Sequence, residues 1–302
     1  MTALPFIGVR DSGVGGLTVA RCIRRLLPHA PLLYFADTAH VPYGDRAPHE
    51  VRHFALSISQ FLMEQGAQVL VFACNTTSAH ALEAAQQKFP VPVFGMIEPG
   101  AKAALQKAGG EAIGVLATQS TVDSEVYPAT LERLRPGTPC WQIACPEFVP
   151  LVENEQSESV AARRACRHYL APLREAGVRT VILGCTHYPL LLPLLQDEAP
   201  EMVFVDPAEA VAQEVACLFE QQPPTPFVRG LYSDLVEQGT LNSSSDASDF
   251  SPLTKGGCPL GGRGSDIYFV SGLREGVQDW IAKLMNNAAP DLRRGPVFDL
   301  PL

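Results

Sequence analysis

Short, almost continuous apolar runs alternate with longer helical patterns along most of this chain, and that alternation is what most restricts its fold. The runs fall at residues 6–9, 32–35, 69–72, 93–96, 113–116, 181–183 and 203–205. Strands apolar on both faces must be covered on both faces. The helical stretches between them, at 16–27, 48–65, 77–88, 98–108, 157–176 and 208–221, supply that cover. The expected fold class is therefore α/β, built on parallel sheets.

The pattern also repeats. Ile7-Gly8-Val9 recurs 106 residues on as Ile113-Gly114-Val115. The segment Val69-Leu70-Val71-Phe72-Ala73-Cys74-Asn75-Thr76 is answered 111 residues on by Thr180-Val181-Ile182-Leu183-Gly184-Cys185-Thr186-His187. Two echoes at nearly one offset indicate duplicated α/β halves. Each sends a cysteine-bearing strand end towards a shared cleft, because ligands of open α/β sheets bind beyond the carboxyl ends of the strands. The expected organisation is two similar parallel-sheet domains with the site between them: residues 1–97 with 208–302, and residues 98–207. Residues 237–266, rich in Ser and Gly, break the pattern and read as a mobile loop. A strand at 267–270 and a helix at 276–285 are expected after it, and an irregular tail beyond Asn286.

Composition narrows the function more than the fold. With 302 residues, 46% hydrophobic and 18% charged, the chain is neither disordered nor fibrous. A net charge of −9 argues against a nucleic-acid partner held by bulk basicity. No apolar run reaches the roughly 18–20 residues that cross a bilayer, so no membrane partner is expected. The opening MTALPFIGV has no basic stretch of the kind that begins a signal peptide. A cytoplasmic location is expected, where the eight cysteines stay reduced.

Two of those cysteines share a context. Cys74-Asn75-Thr76-Thr77-Ser78 and Cys185-Thr186-His187-Tyr188-Pro189 each follow an apolar strand and precede a helical pattern. A cysteine at a helix N-terminus is expected to have a lowered pKa, and the free N–H groups there suit a carboxylate. Cys22, Cys166 and Cys217 lie inside helical patterns. Cys140 and Cys145 have no His partner at zinc spacing, so no metal is expected. Cys258 lies in the Ser/Gly-rich stretch. After the first strand, Arg10-Asp11-Ser12-Gly13-Val14-Gly15-Gly16 places Thr18 where a dinucleotide fingerprint needs its third glycine, so that fingerprint fails. Asp11 and Ser12 either project into the cleft or cap the following helix. The loop from Asp37 to Asp45 stands where a substrate clamp would, or forms an ordinary surface turn.

Taken together, Asp11-Ser12-Gly13-Val14-Gly15-Gly16-Leu17-Thr18-Val19, Pro42-Tyr43-Gly44, Ala73-Cys74-Asn75-Thr76 and Gly184-Cys185-Thr186-His187-Tyr188-Pro189 resemble the glutamate racemases of the aspartate/glutamate racemase superfamily. Ile97-Glu98-Pro99-Gly100-Ala101, Thr121-Val122 and Phe148-Val149-Pro150-Leu151-Val152-Glu153 match as well. The resemblance implies cofactor-independent interconversion of L- and D-glutamate, supplying D-glutamate for peptidoglycan, often by a homodimer. It implies Cys74 and Cys185 as acid/base thiols, helped by Asp11, Glu153 and His187. It implies Asp11, Ser12, Pro42, Tyr43, Gly44, Asn75, Thr76, Thr186 and His187 as substrate contacts.

The chemistry agrees. Inverting a stereocentre by proton exchange needs a base on one face and an acid on the other, and each must exchange roles in the reverse direction. Thiols, with an ordinary pKa near ~8.5, suit both roles. Amide and hydroxyl donors can stabilise charge building on the substrate carboxylate.

Three departures stand out. Arg10 occupies the place where the family usually carries Phe. Strand alternation turns it away from Asp11's face, and its charge is expected to favour ionised Asp11. Asn154-Glu155 follow Glu153 where a second acid and Gly are common. The 237–266 insert has no counterpart. Competing readings are a racemase of another amino acid such as aspartate, a regulatory protein on the same scaffold, and a thiol hydrolase or redox protein with a single nucleophile. His187 after Cys185-Thr186 favours glutamate, since the aspartate branch tends to carry Glu there.

Overall fold

A computed structural model describes residues 5–221, 266–272, 285 and 291–299. The first repeat contributes β1 (Phe6–Asp11), β2 (Leu32–Ala36), β3 (Ala67–Phe72) and β4 (Val93–Gly95). The second contributes β5 (Ile113–Ala117), β6 (Cys140–Ala144), β7 (Thr180–Gly184) and β8 (Val203–Val205), and β9 (Ile267–Val270) and β10 (Asp291–Arg294) follow. Two parallel sheets result, ordered β10-β9-β2-β1-β3-β4 and β6-β5-β7-β8. With β9 and β10 set aside, both read second, first, third, fourth strand of their repeat. The sequence echo is thus a duplication of topology.

The helices are α1 (Leu17–Leu26), α2 (Pro48–Glu64), α3 (Asn75–Lys88), α4 (Ile97–Ala108), α5 (Gln119–Asp123), α6 (Val126–Leu134), α7 (Phe148–Glu153), α8 (Val160–Glu175), α9 (Leu192–Glu198) and α10 (Pro207–Gln221). They cover each sheet on both faces, as the apolar strands require. On β3, Val69 and Val71 pack towards α1 and α10, while Leu70 and Phe72 pack towards α2 and α3. On β7, Val181 and Leu183 meet α8 and α9, while Ile182 meets α4 and α6. Each such side chain contributes about 1.5–3 kcal/mol by leaving water. The echoed glycines do equivalent work. A Cβ on Gly8 would lie 2.9 Å from Ala67 Cβ, and one on Gly114 would lie 3.0 Å from Leu173, so each lets its neighbours close against mid-strand.

Two strands escape the apolar-run reading. β6 carries Trp141 and Gln142 and is an edge strand, half exposed, so it needs no continuous apolar run. β10 corrects the expectation of an irregular tail: it pairs with β9 at a sheet edge, and its Arg293 and Arg294 are exposed. The strand expected at 267–270 is β9. The loop expected at 237–266, apart from Asp266, and the helix expected at 276–285, apart from Met285, lie outside the described residues. Among the described residues no helix is long and apolar enough to cross a membrane.

Candidate active site

β3 and β7 hold equivalent places in the two sheets, and a cysteine follows each: Cys74 and Cys185 line one cavity between the sheets. The cavity holds about 90 Å³, on a scale where one water takes roughly 10–15 Å³, which is room for a small molecule. Both thiols are buried, at 6% and 7% exposure, yet both reach the cavity.

The two settings differ more than the sequence echo suggests. Cys74 caps α3, its Sγ accepting the Thr77 N–H at 3.5 Å. After Cys185 the chain makes a 3-10 turn at Tyr188–Leu191, with Pro189 near its start, so no α-helix N-terminus faces this sulfur. Its neighbour is His187 instead, with Nδ1 3.7 Å from Sγ.

The expected lowering at Cys74 is also reversed. Burial, reinforced by the charge of Asp11, pushes its pKa up, and the opposing pull of Arg10 and Thr77 does not overcome this. Cys74 therefore rests as a thiol. Burial would strip His187 of its proton, but its hydrogen bonds to Cys185 and to Glu153 (Nε2–Oε1 2.6 Å) and their charges hold its pKa well above the ordinary value. His187 is thus an imidazolium, with one N–H for the carboxylate and one for the sulfur.

The loop after β1 meets the opposite sheet's loop at close quarters. A Cβ on Gly15 would fall 2.7 Å from Thr186 Oγ1 and 2.8 Å from His187 Nδ1, so a side chain at this position would force those groups to shift. Asp11 caps the turn rather than projecting into the cleft. Its Oδ2 accepts the Gly13 and Gly16 N–H groups, each at 3.0 Å, and its Oδ1 accepts the Thr186 hydroxyl at 3.3 Å.

Asp11 and Glu153 stand behind the cavity wall, the first reaching it through Thr186 and the second through His187. Ser12, Pro42, Tyr43, Gly44, Asn75, Thr76, Thr186 and His187 all line it. The loop after β2 does face the cavity, with Gly44 packed against Thr118, where a Cβ would come within 3.1 Å. Tyr43 contributes its ring only. Its hydroxyl donates to Asp37 Oδ2 at 2.5 Å and accepts from Arg10 at 3.0 Å. Arg10 does turn away from Asp11's face, and its partners are Thr77 and Tyr43.

The second sheet adds residues that the sequence reading passed over. Thr118 lines the cavity, and its hydroxyl meets those of Thr76 (2.9 Å) and Thr121 (3.0 Å). The 106-residue offset carries Ser12 onto Thr118, so the repeat itself pointed there. Tyr127 donates to Asn75 Oδ1 at 2.7 Å and so orients the amide, leaving Nδ2 as a buried donor without a protein partner. Cys145 is a third thiol in the wall. Its S–H donates to Ile143 O at 3.4 Å, and burial pushes its pKa well up, so it stays protonated.

Burial likewise pushes Cys22 up to about 11 and Cys140 and Cys166 up to about 12. The seven described cysteines are all free; Cys258 lies outside the described residues. Among the described residues no three His, Cys, Asp or Glu side chains cluster as a metal site would need.

Comparison with known proteins places this geometry. The Asp/Glu/Hydantoin racemase family model matches residues 17–215. The chain belongs to that family. It is an amino-acid racemase, an isomerase. A glutamate racemase of Geobacter metallireducens is 41% identical over 268 residues, covering 88% of this chain and 96% of that relative. One from Desulforudis audaxviator is 45% identical over 208 residues, covering 68% and 76%. Among solved structures, the glutamate racemase of Thermus thermophilus in complex with beta-chloro-D-alanine superposes with a TM-score of 0.75 at 37% identity, covering 98% of each chain.

Proposed function

We propose that this racemase interconverts L- and D-glutamate by passing the Cα proton between Cys74 and Cys185. The observation that carries the reading is two thiols, at the ends of topologically equivalent strands, lining one small-molecule cavity. Cys74 rests protonated and is suited to be the acid, with Cys185 the base; in the reverse direction the roles exchange. His187, held charged by Glu153, orients Cys185 and returns a hydrogen bond to its sulfur as charge alternates there. Asp11 plays its part through Thr186 and the glycine amides. Asn75 Nδ2 and the hydroxyls of Ser12, Thr76 and Thr186 supply donors for the substrate carboxylate, where charge builds as Cα is deprotonated. Removing one such donor costs about 3–4 kcal/mol of barrier.

The named relatives and the Cys185-Thr186-His187 motif support glutamate as the substrate. D-glutamate for peptidoglycan is the product's use on this reading, and a homodimer in the cytoplasm is the working form. We divide the chain near residues 97/98 and 207/208, a reading supported by the membership of the two sheets and by the packing of α10 on α1 and α4.

Incubation with L-glutamate in D₂O tests the mechanism: deuterium should enter Cα, and Cys74→Ser and Cys185→Ser should each abolish racemisation. Full activity in either variant refutes the two-thiol scheme. A circular-dichroism assay that preferred L-aspartate would overturn the substrate. Sizing by light scattering tests the dimer, and a monomer at working concentration rejects it.

A further inference from the structure

We infer that Arg10 is a positioning residue that favours the thiolate of Cys74 through the hydroxyl of Thr77, an inference that rests on the two-thiol reading above. Arg10 is fully buried near the end of β1, where a cation is costly unless something compensates it. Among the described residues no carboxylate lies within ion-pairing distance of it. Its guanidinium donates instead to Thr77 Oγ1 and to Tyr43 Oη, sits 5.4 Å from the Tyr43 ring centre and 5.7 Å from that of Phe72, and leaves Nε without a partner. In so dry a setting the charge acts strongly on the groups that Arg10 touches.

The Cys74 sulfur is reached through Thr77. This residue stands in the first turn of α3, and its N–H already meets Cys74 Sγ at 3.5 Å. Because Thr77 Oγ1 accepts from Arg10, its own proton is left to give, and it is free to turn to the Cys74 sulfur that the Thr77 N–H already meets. The relay runs from guanidinium to hydroxyl to sulfur, and every donor in it favours negative charge at the end.

Other groups face the same sulfur. Asp11, from the far face of β1, opposes the thiolate, as does burial. Asp37 stands behind Arg10, accepting from Tyr43, His40 and Ser271, and partly offsets its charge. Across the cavity lie Cys185, His187 and Glu153. Arg10 is the one cation among these on the Cys74 side that reaches it through a single hydroxyl.

The test reads Cys74 directly. In a full chain carrying Cys185→Ser, iodoacetamide labelling of the Cys74 peptide is followed by mass spectrometry across pH. Adding Arg10→Met, close in length but uncharged, should move the labelling midpoint to higher pH and leave about tenfold less thiolate below it. Thr77→Val should move it the same way, and Thr77→Ser should restore it. With Cys185 intact, Arg10→Met should carry the acid limb of kcat/KM to higher pH in the direction in which Cys74 is the base, while KM for glutamate is unchanged. An unmoved labelling midpoint in folded Arg10→Met overturns the inference. If that variant does not fold, equal midpoints for Thr77→Val and Thr77→Ser overturn it instead. Racemisation surviving in Cys74→Ser would sink the two-thiol reading, whereas an unmoved midpoint beside an inactive Cys74→Ser sinks the Arg10 relay alone.

Discussion

His187 is a charged residue because of what stands on either side of it. Burial alone would make it neutral, but Glu153 at 2.6 Å and Cys185 at 3.7 Å raise its pKa well above the ordinary range. A raised histidine stabilises the fold fully at pH below its unfolded value and loses that contribution as pH climbs through the native one. Glu153→Gln should therefore let His187 deprotonate at lower pH and bring the alkaline limb of activity down with it. An imidazole NMR titration of the variant that matched the parent would contradict this. At this scale the sequence was partly legible. Cys74 and Cys185 stand out because the repeat brackets them. The direction of the shift at Cys74 does not, because burial and Asp11 outweigh a helix N-terminus that lies in plain view of the motif.

Among the elements, the glycine turn between β1 and α1 carries the most consequence. It resembles a phosphate loop in composition, yet its glycines serve the approach of two protein loops, with no room for a Cβ on Gly15 beside Thr186 and His187. Gly15→Ala should push those loops apart. We expect kcat/KM to fall by about a hundredfold, as a misplacement near 1 Å at a reacting centre can cause, while overpacking costs only about 1–3 kcal/mol of stability. Steady-state kinetics beside a denaturant melt would check both, and parent-like kinetics would show that the turn yields freely. The central strands were readable from their apolar runs because both faces are buried. Edge strands β6 and β10 were not, since an edge needs only backbone pairing and tolerates Trp141, Gln142, Arg293 and Arg294.

Across the whole molecule, Asp37 ties distant parts of the first sheet together. Burial pushes its carboxyl pKa up, but hydrogen bonds from His40, Ser271 and Tyr43 outweigh this and hold it below the usual carboxylate value. A depressed carboxylate stabilises above its unfolded pKa, and that contribution is lost as pH falls through the lower native value. Asp37→Asn should lower stability by about 1–3 kcal/mol at neutral pH and flatten the loss of melting temperature below pH ~4. Melting curves that decline in acid as steeply as the parent's would reject this assignment. The sequence by itself determined the α/β alternation, the duplication and the matched pair of thiols, because periodicity and strand-end motifs are local and repeat at a constant offset. Only the tertiary structure gave the direction of the shifts at Cys74 and His187 and the contacts that join Asp11 to Thr186 and Glu153 to His187. A pKa sums burial and fields from residues remote along the chain, such as Thr77 from Arg10 by 67 positions and Asp11 from Thr186 by 175, and no local pattern records those distances.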